Sequence, residues 1–119
     1  NYPFISEKND TKIKIGYSHN TNDFIGFVRY DKYDHLSYKI FIFILPKFRR
    51  LKLSLPLIVK SLKSFKRKNI SIIVEIPNNA QIGYIIFDKL GFRLFKKTNS
   101  SKFYKNSLEN INKLISYEN

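Results

Sequence analysis

Cysteine, methionine and tryptophan are absent from these 119 residues, and histidine occurs only at His19 and His35. Without cysteine there is no thiol nucleophile, no disulfide framework and no thiolate zinc site, so no metal is expected. Acid is scarce as well: 9 Asp and Glu stand against 22 Lys and Arg, a net charge of +13. Long apolar runs are missing too. The longest uncharged one, Ile40 to Pro46, is the size of a strand and not of a membrane span. The first residues do not form a signal peptide, so a cytoplasmic protein without a membrane partner is expected. No methionine stands even at position 1, and the chain reads as a fragment or processed product.

What is present supports one folded domain over residues 1–119: 43% of the residues are hydrophobic, enough to bury a core without a staple. The positive field suits nucleic acid, acidic membranes or polyphosphate ligands. Nine cations fall between Lys47 and Lys68 with no acid among them. Because lysine is used heavily all along the chain, a solvated helix face plus one anion site is the favoured reading. A nucleic-acid platform ranks behind it, since the aromatics fall on core periods and are not interleaved with bases.

The chain order follows from periodicity. Residues 1–11 read as a loop or the tail of an earlier element. Lys12 to Tyr17 alternates as a half-exposed strand, His19 to Asp23 is a turn cluster, and Phe24 to Tyr30 returns as the second strand of a hairpin. Asp31 to His35 turns again. Leu36 to Leu45 ends in an unbroken apolar run, the mark of a strand covered on both faces, with Phe41 and Phe43 in the core. Leu55, Ile58, Val59, Leu62 and Phe65 recur at helical spacing, which predicts an amphipathic helix of about four turns starting at Leu53 to Leu55, with Pro56 in its first turn. Ile70 to Ile76 is a second apolar strand. Asn78-Asn79 then offers an N-cap for a helix through Leu90 that Gly91 closes. Two short strands around a polar turn and a terminal amphipathic helix complete the chain. The result is an α+β domain with a mixed sheet, in the order β-β-β-α-β-α-β-β and a possible last helix.

The informative junction is Ile44-Leu45-Pro46-Lys47-Phe48-Arg49-Arg50-Leu51-Lys52-Leu53-Ser54. A strand ends, a cationic loop follows, and a helix begins with its first N–H groups free. Orphan donors, the helix dipole and nearby Arg and Lys together favour a phosphate or pyrophosphate.

Four segments in register carry a resemblance: Ile25-Gly26-Phe27-Val28-Arg29, Leu45-Pro46-Lys47-Phe48-Arg49, Val74-Glu75-Ile76-Pro77-Asn78-Asn79 and Phe87-Asp88-Lys89-Leu90-Gly91-Phe92. From residue 24 to about 96 the chain resembles the GNAT superfamily of N-acetyltransferases. That resemblance implies acetyl-CoA as acyl donor and a small-molecule amine as acceptor. The opening hairpin and loop look most like members that modify amino sugars. It also implies that the loop R/Q-x-x-G-x-G/A holds the pyrophosphate through its backbone, matched here by Arg49, Arg50, Leu51, Lys52, Leu53 and Ser54. Lys52 departs from the pattern by replacing a glycine. The N–H of Ile44 or Leu45 is then the group that polarises the acyl carbonyl. The thiolate donor is commonly a tyrosine at the position held here by Phe87, and Tyr84 lies one turn earlier. Asn79 stands one residue before the asparagine of the usual junction. Glu75, the acid in an otherwise apolar strand, is the candidate base, with a carboxyl expected to hold its proton more tightly than usual; the alternative is an exposed strand-end acid paired with one of the many lysines. Tyr30, Tyr33 and Tyr38 are either packed or lining an acceptor pocket.

The strand and helices that normally precede the first hairpin are missing or reduced in this chain. Two other readings stay open: a GNAT-fold domain that has lost catalysis, as Lys52 and Phe87 would allow, and a small basic module docking on RNA or an acidic partner. The oligomeric state is not legible.

Overall fold

The computed structural model describes residues 4–8, 11–17, 23–80 and 84–118. Seven strands, β1 (Phe4–Lys8), β2 (Thr11–Tyr17), β3 (Phe24–Asp34), β4 (Ser37–Ile44), β5 (Ser71–Pro77), β6 (Arg93–Lys97) and β7 (Ser101–Ser107), hydrogen-bond in the order β1-β2-β3-β4-β5-β7-β6. Three helices accompany them: α1 (Ser54–Leu62), α2 (Tyr84–Lys89) and α3 (Leu108–Glu118), with a 3-10 helix over Pro46–Leu51. The mixed α+β order expected from sequence is present. One element was read differently: Phe4–Lys8 is a strand, and it pairs antiparallel with β2 from Phe4↔Ile15 to Lys8↔Thr11. Among the described residues no helix is long and apolar enough to cross a membrane.

Two compact units share the chain, residues 1–31 with 41–66 and residues 32–40 with 67–119. In the first, β2 and β3 pair antiparallel with an irregularity at Gly16/Tyr17. A Cβ at Gly26 would collide with the Phe43 carbonyl oxygen, so glycine is what lets β3 lie against β4 there. Val28 and Tyr30 are buried together with Leu57, Ile58, Ser61 and Leu62 of α1. Ser61 donates its hydroxyl to the Ile58 carbonyl at 2.7 Å, which leaves Tyr30 to donate to Ser61 at 2.5 Å. Tyr30 is therefore a satisfied core residue and lines no pocket. Burial pushes its phenol well above the ordinary range.

Helix α1 starts where Pro56 allows but is shorter than the apolar spacing predicts. The N–H groups of Lys63, Ser64 and Phe65 bond three residues back, to Lys60, Ser61 and Leu62. This tightened turn still delivers Phe65 to the core, edge-on to Tyr30 with ring centres 5.0 Å apart. The second half of β4 also differs from expectation. Ile44 is buried, but Phe43 is 37% exposed, and the strand is not covered on both faces. Guanidinium groups lie over its aromatic rings instead: Arg29 is 4.3 Å from the centre of Phe41 and Arg49 5.7 Å from that of Phe43.

In the second unit, β4 runs parallel to β5 from Ser37↔Ser71 to Ile40↔Val74, and β5 runs antiparallel to β7. Here lies the doubly covered strand: Ile72, Ile73, Val74 and Ile76 are all buried. β3 extends to Asp34, further than the turn read from Asp31, and Asp34 accepts the Leu36 N–H at 2.9 Å. Helix α2 ends in a Schellman turn. Gly91 has φ +79°, its N–H donates to Asp88, and the Phe92 N–H donates to the Phe87 carbonyl. The two phenylalanines that flank this turn meet edge to face, 5.2 Å apart, which is the apolar contact such an ending carries. α3 buries Leu108 and Ile111 as its spacing predicts.

Candidate functional site

In the first unit the chain leaves β4 at Ile44 and turns through the 3-10 helix into α1. Pro46 sets the backbone of the first turn. Arg49 folds back and donates from Nε to the Ile44 carbonyl at 2.8 Å, which anchors the guanidinium and leaves its Nη donors without a partner among the described residues. Of Arg50 and Leu51 only the main chain is described. Lys52, exposed, has φ 56° and ψ 40°, the left-handed conformation that glycine adopts without cost. It is the one non-glycine residue with positive φ among the described residues. For a lysine this conformation costs about 1–2 kcal/mol. Lys52 thus takes a backbone shape open to glycine while carrying an ammonium.

Leu53 and Ser54 then open α1, where no side chain caps the helix and no acid occupies the first turn. Pro56 has no N–H to offer. The junction therefore presents an uncapped positive helix end behind the cations of Arg49 and Lys52, an environment suited to a phosphate. The two candidate polarising amides are not equivalent. The Leu45 N–H already donates to the Ile25 carbonyl at 2.8 Å, so it is not free. Strand alternation turns the Ile44 N–H to the opposite edge, the one on which its own carbonyl meets Arg49. Ile44 alone keeps that candidacy.

The remaining candidates lie in the second unit. Glu75 on β5 accepts from Lys39 of β4 at 2.9 Å, with side chains 32% and 22% exposed. The lysine hydrogen bond, followed by one from Ser101, holds the Glu75 carboxyl below the usual range, outweighing the small effect of burial. The expectation of a tightly held proton is overturned. The lysine-paired alternative holds instead: Lys39 reaches Glu75 from the neighbouring parallel strand.

Tyr84 donates its hydroxyl to Asp88 one turn on, at 2.9 Å, and its ring lies 4.4 Å from that of Tyr104. The Asp88 bond pushes its phenol upward, so it keeps its proton throughout neutral pH. Phe87 is 5% exposed and packs on Phe92 in the core. Asn79 is exposed in the turn after β5 and does not cap α2. The next residue, Ala80, is not helical and donates to the Pro77 carbonyl. Residues 81–83, including Ile82, lie outside the described residues. Asn106, which the sequence reading passed over, closes α2 by donating to the Leu90 carbonyl at 2.9 Å. Among the described residues no group of three or more His, Asp or Glu is placed to hold a metal.

No protein-family model matches the sequence, and no curated protein matches it. Solved structures do. A spermidine N-acetyltransferase from Vibrio cholerae in complex with CoA and spermine is 18% identical, with a TM-score of 0.73 over 87% of this chain and 69% of that one. A mutant form of that enzyme gives 0.75 at 16% identity, over 87% of this chain and 67% of that one. The N-acetyltransferase PseH from Campylobacter jejuni gives 0.70 at 9% identity, over 84% of this chain and 70% of that one. At such identities the likeness shows the fold.

Proposed function

From the premise that this chain has the GNAT N-acetyltransferase fold, we propose that it binds acetyl-CoA and transfers the acetyl group to a primary amine of a small molecule. The observation that carries this reading is the left-handed Lys52 between the 3-10 helix and an uncapped α1. A lysine held in a glycine conformation costs stability, and a bound pyrophosphate repays it. The backbone shape admits the anion, the Lys52 ammonium adds a charge, and Arg49 offers its Nη donors.

The chemistry needs three things. The acyl carbonyl requires a donor, and the Ile44 N–H is the main-chain group assigned to it. The leaving thiolate requires a proton, a role assigned here to Tyr84 in place of the tyrosine that the resemblance expects at Phe87. Its upward-shifted hydroxyl is fully protonated at neutral pH, and Asp88 holds it one turn from the Phe87 position. The incoming amine must lose a proton. Glu75, ionised and paired with Lys39, takes that proton less readily than a free carboxylate, so it serves best through water or by orienting the ammonium.

An acceptor follows from charge. The V. cholerae relative binds spermine, a polycation, whereas the present chain carries +13 and repels polycations. A neutral or anionic amine is favoured, and an amino sugar on a phosphate-bearing carrier meets that condition.

Thermal melting in the presence of acetyl-CoA tests the reading. Ligand at about 100 times its Kd should stabilise the protein by about 2.7 kcal/mol. Absence of any shift at millimolar acetyl-CoA defeats it. A shift with acetyl-CoA but no turnover on any amine selects the alternative of a GNAT-fold domain without catalysis, for which burial of Phe87 in place of a tyrosine speaks.

A further inference from the structure

The β6–β7 hairpin of the second unit plays no part in the cofactor reading, and its composition is unusual. From Lys89 to Leu108 the chain carries six cations and no acid. β6 ends the strand order, and all five of its residues are exposed. Two like-charge pairs stand directly opposite one another across the hairpin, Arg93↔Lys105 and Lys97↔Lys102, an arrangement that destabilises an isolated sheet. Aromatic rings lie among these cations. Lys105 sits 4.8 Å from the centre of the Phe95 ring, which is 41% exposed, and Lys96 sits 4.7 Å from that of Phe103. The fields of Asp34 and Glu75 reach Lys105 and Lys96, but Asp34 is bonded to the Leu36 N–H and Glu75 to Lys39. Bases and aromatics are interleaved here, which the core periods elsewhere in the sequence had concealed.

We propose that the β6–β7 hairpin binds single-stranded nucleic acid. Phosphates relieve the repulsion of the facing cations, and a base stacks on Phe95 as Lys105 leaves the ring for a phosphate. Stacking on an exposed ring is the stronger of those two contacts. Two other occupants fit less well. An acidic peptide added as a strand would meet the register irregularity between Leu94 and Lys96, which opposes strand addition. A second copy of this chain would bring the same charge to the same edge.

The test is fluorescence anisotropy of a labelled oligothymidylate against three variants of the whole chain. The first removes Arg93, Lys96, Lys102 and Lys105 (each to Ser). The second removes an equal charge at Lys60, Lys63, Lys66 and Lys68, and the third is Phe95→Ala. The hairpin variant should lose at least about tenfold in affinity and flatten the salt dependence, against less than about threefold for the second. Phe95→Ala should lose about five- to tenfold with the salt slope unchanged. It sits at an exposed position, and it decides the matter alone if the hairpin variant fails to fold by circular dichroism. Equal losses from the two charge variants, an unaffected Phe95→Ala, or polyglutamate binding as tightly as the oligonucleotide would each overturn the proposal.

Discussion

Two of the described residues occupy the left-handed region, and they are chemically opposite. Gly91 does so at the end of α2, where the Asp88 and Phe87 carbonyls collect the last N–H groups and Phe92 folds onto Phe87. Lys52 does so at the entrance to α1, exposed, with nothing capping the helix that follows. At Gly91 the demand comes from the fold itself: a Cβ there would come within 2.8 Å of Asn106 Nδ2 and Leu114 Cδ1. At Lys52 the conformation is that of the C-cap residue of the 3-10 helix over Pro46–Leu51, taken up by an exposed lysine. The hexapeptide around Gly91 is thus a folding signature, and the cationic bend around Lys52 is an exposed turn that sets an ammonium at the entrance to α1.

The contrast can be broken most severely at Gly91. Gly91→Ala should destabilise by about 2–3 kcal/mol, from the left-handed backbone and the crowded side chains together, read as a lower midpoint in urea. A loss below half of that would remove the distinction between the two positions. Arg49→Ala should weaken acetyl-CoA by about tenfold while leaving the urea midpoint nearly unchanged, since the bond lost to Ile44 is partly exposed. Lys52→Gly sharpens the comparison in the other direction. Relief of the strained conformation should stabilise the free protein by about 1 kcal/mol, and the loss of one phosphate contact should offset some of the gain once acetyl-CoA is bound. Unchanged stability would mean that Lys52 is not strained.

The smallest effect concerns Glu75. Its carboxyl is shifted downward in the folded state, so the stability it contributes is complete above the ordinary carboxylate range and disappears as the pH falls through its lowered value. A partly exposed pair of this kind contributes less than about 1 kcal/mol. Lys39→Met should therefore flatten the acid limb of the stability profile slightly, without altering stability at high pH by more than that amount.

Periodicity revealed most of the fold because most elements obey one constraint at a time. α3 shows its buried stripe at Leu108 and Ile111, and the Gly91 turn can be read letter by letter. Misreadings occurred where two constraints overlapped. β4 has an unbroken apolar run, yet Phe43 is exposed with the Arg49 guanidinium beside its ring, a cation–aromatic contact that hydrophobicity alone does not register. The apolar spacing of α1 continues to Phe65 although the helix stops at Leu62, since a tightened turn keeps the same face inward. Phe4–Lys8 sets its two apolar residues, Phe4 and Ile5, side by side before three polar ones, so no alternation marked its pairing with β2. In the site, the loop Arg49–Ser54 was legible from charge and position. The partners that set Glu75, Tyr84 and Leu45, namely Lys39, Asp88 and Ile25, were not: two come from other strands, and the third requires a specific rotamer within a helical turn.

The claim on which the rest depends is that the main chain from Lys52 to Ser54 grips a diphosphate. Amide resonances in a 15N-labelled sample, followed as coenzyme A is added, report on it directly. The account predicts that the Lys52, Leu53 and Ser54 signals move first and saturate together, ahead of any change at Gly91 or Phe92. Saturating coenzyme A that leaves those three amides in place would contradict it.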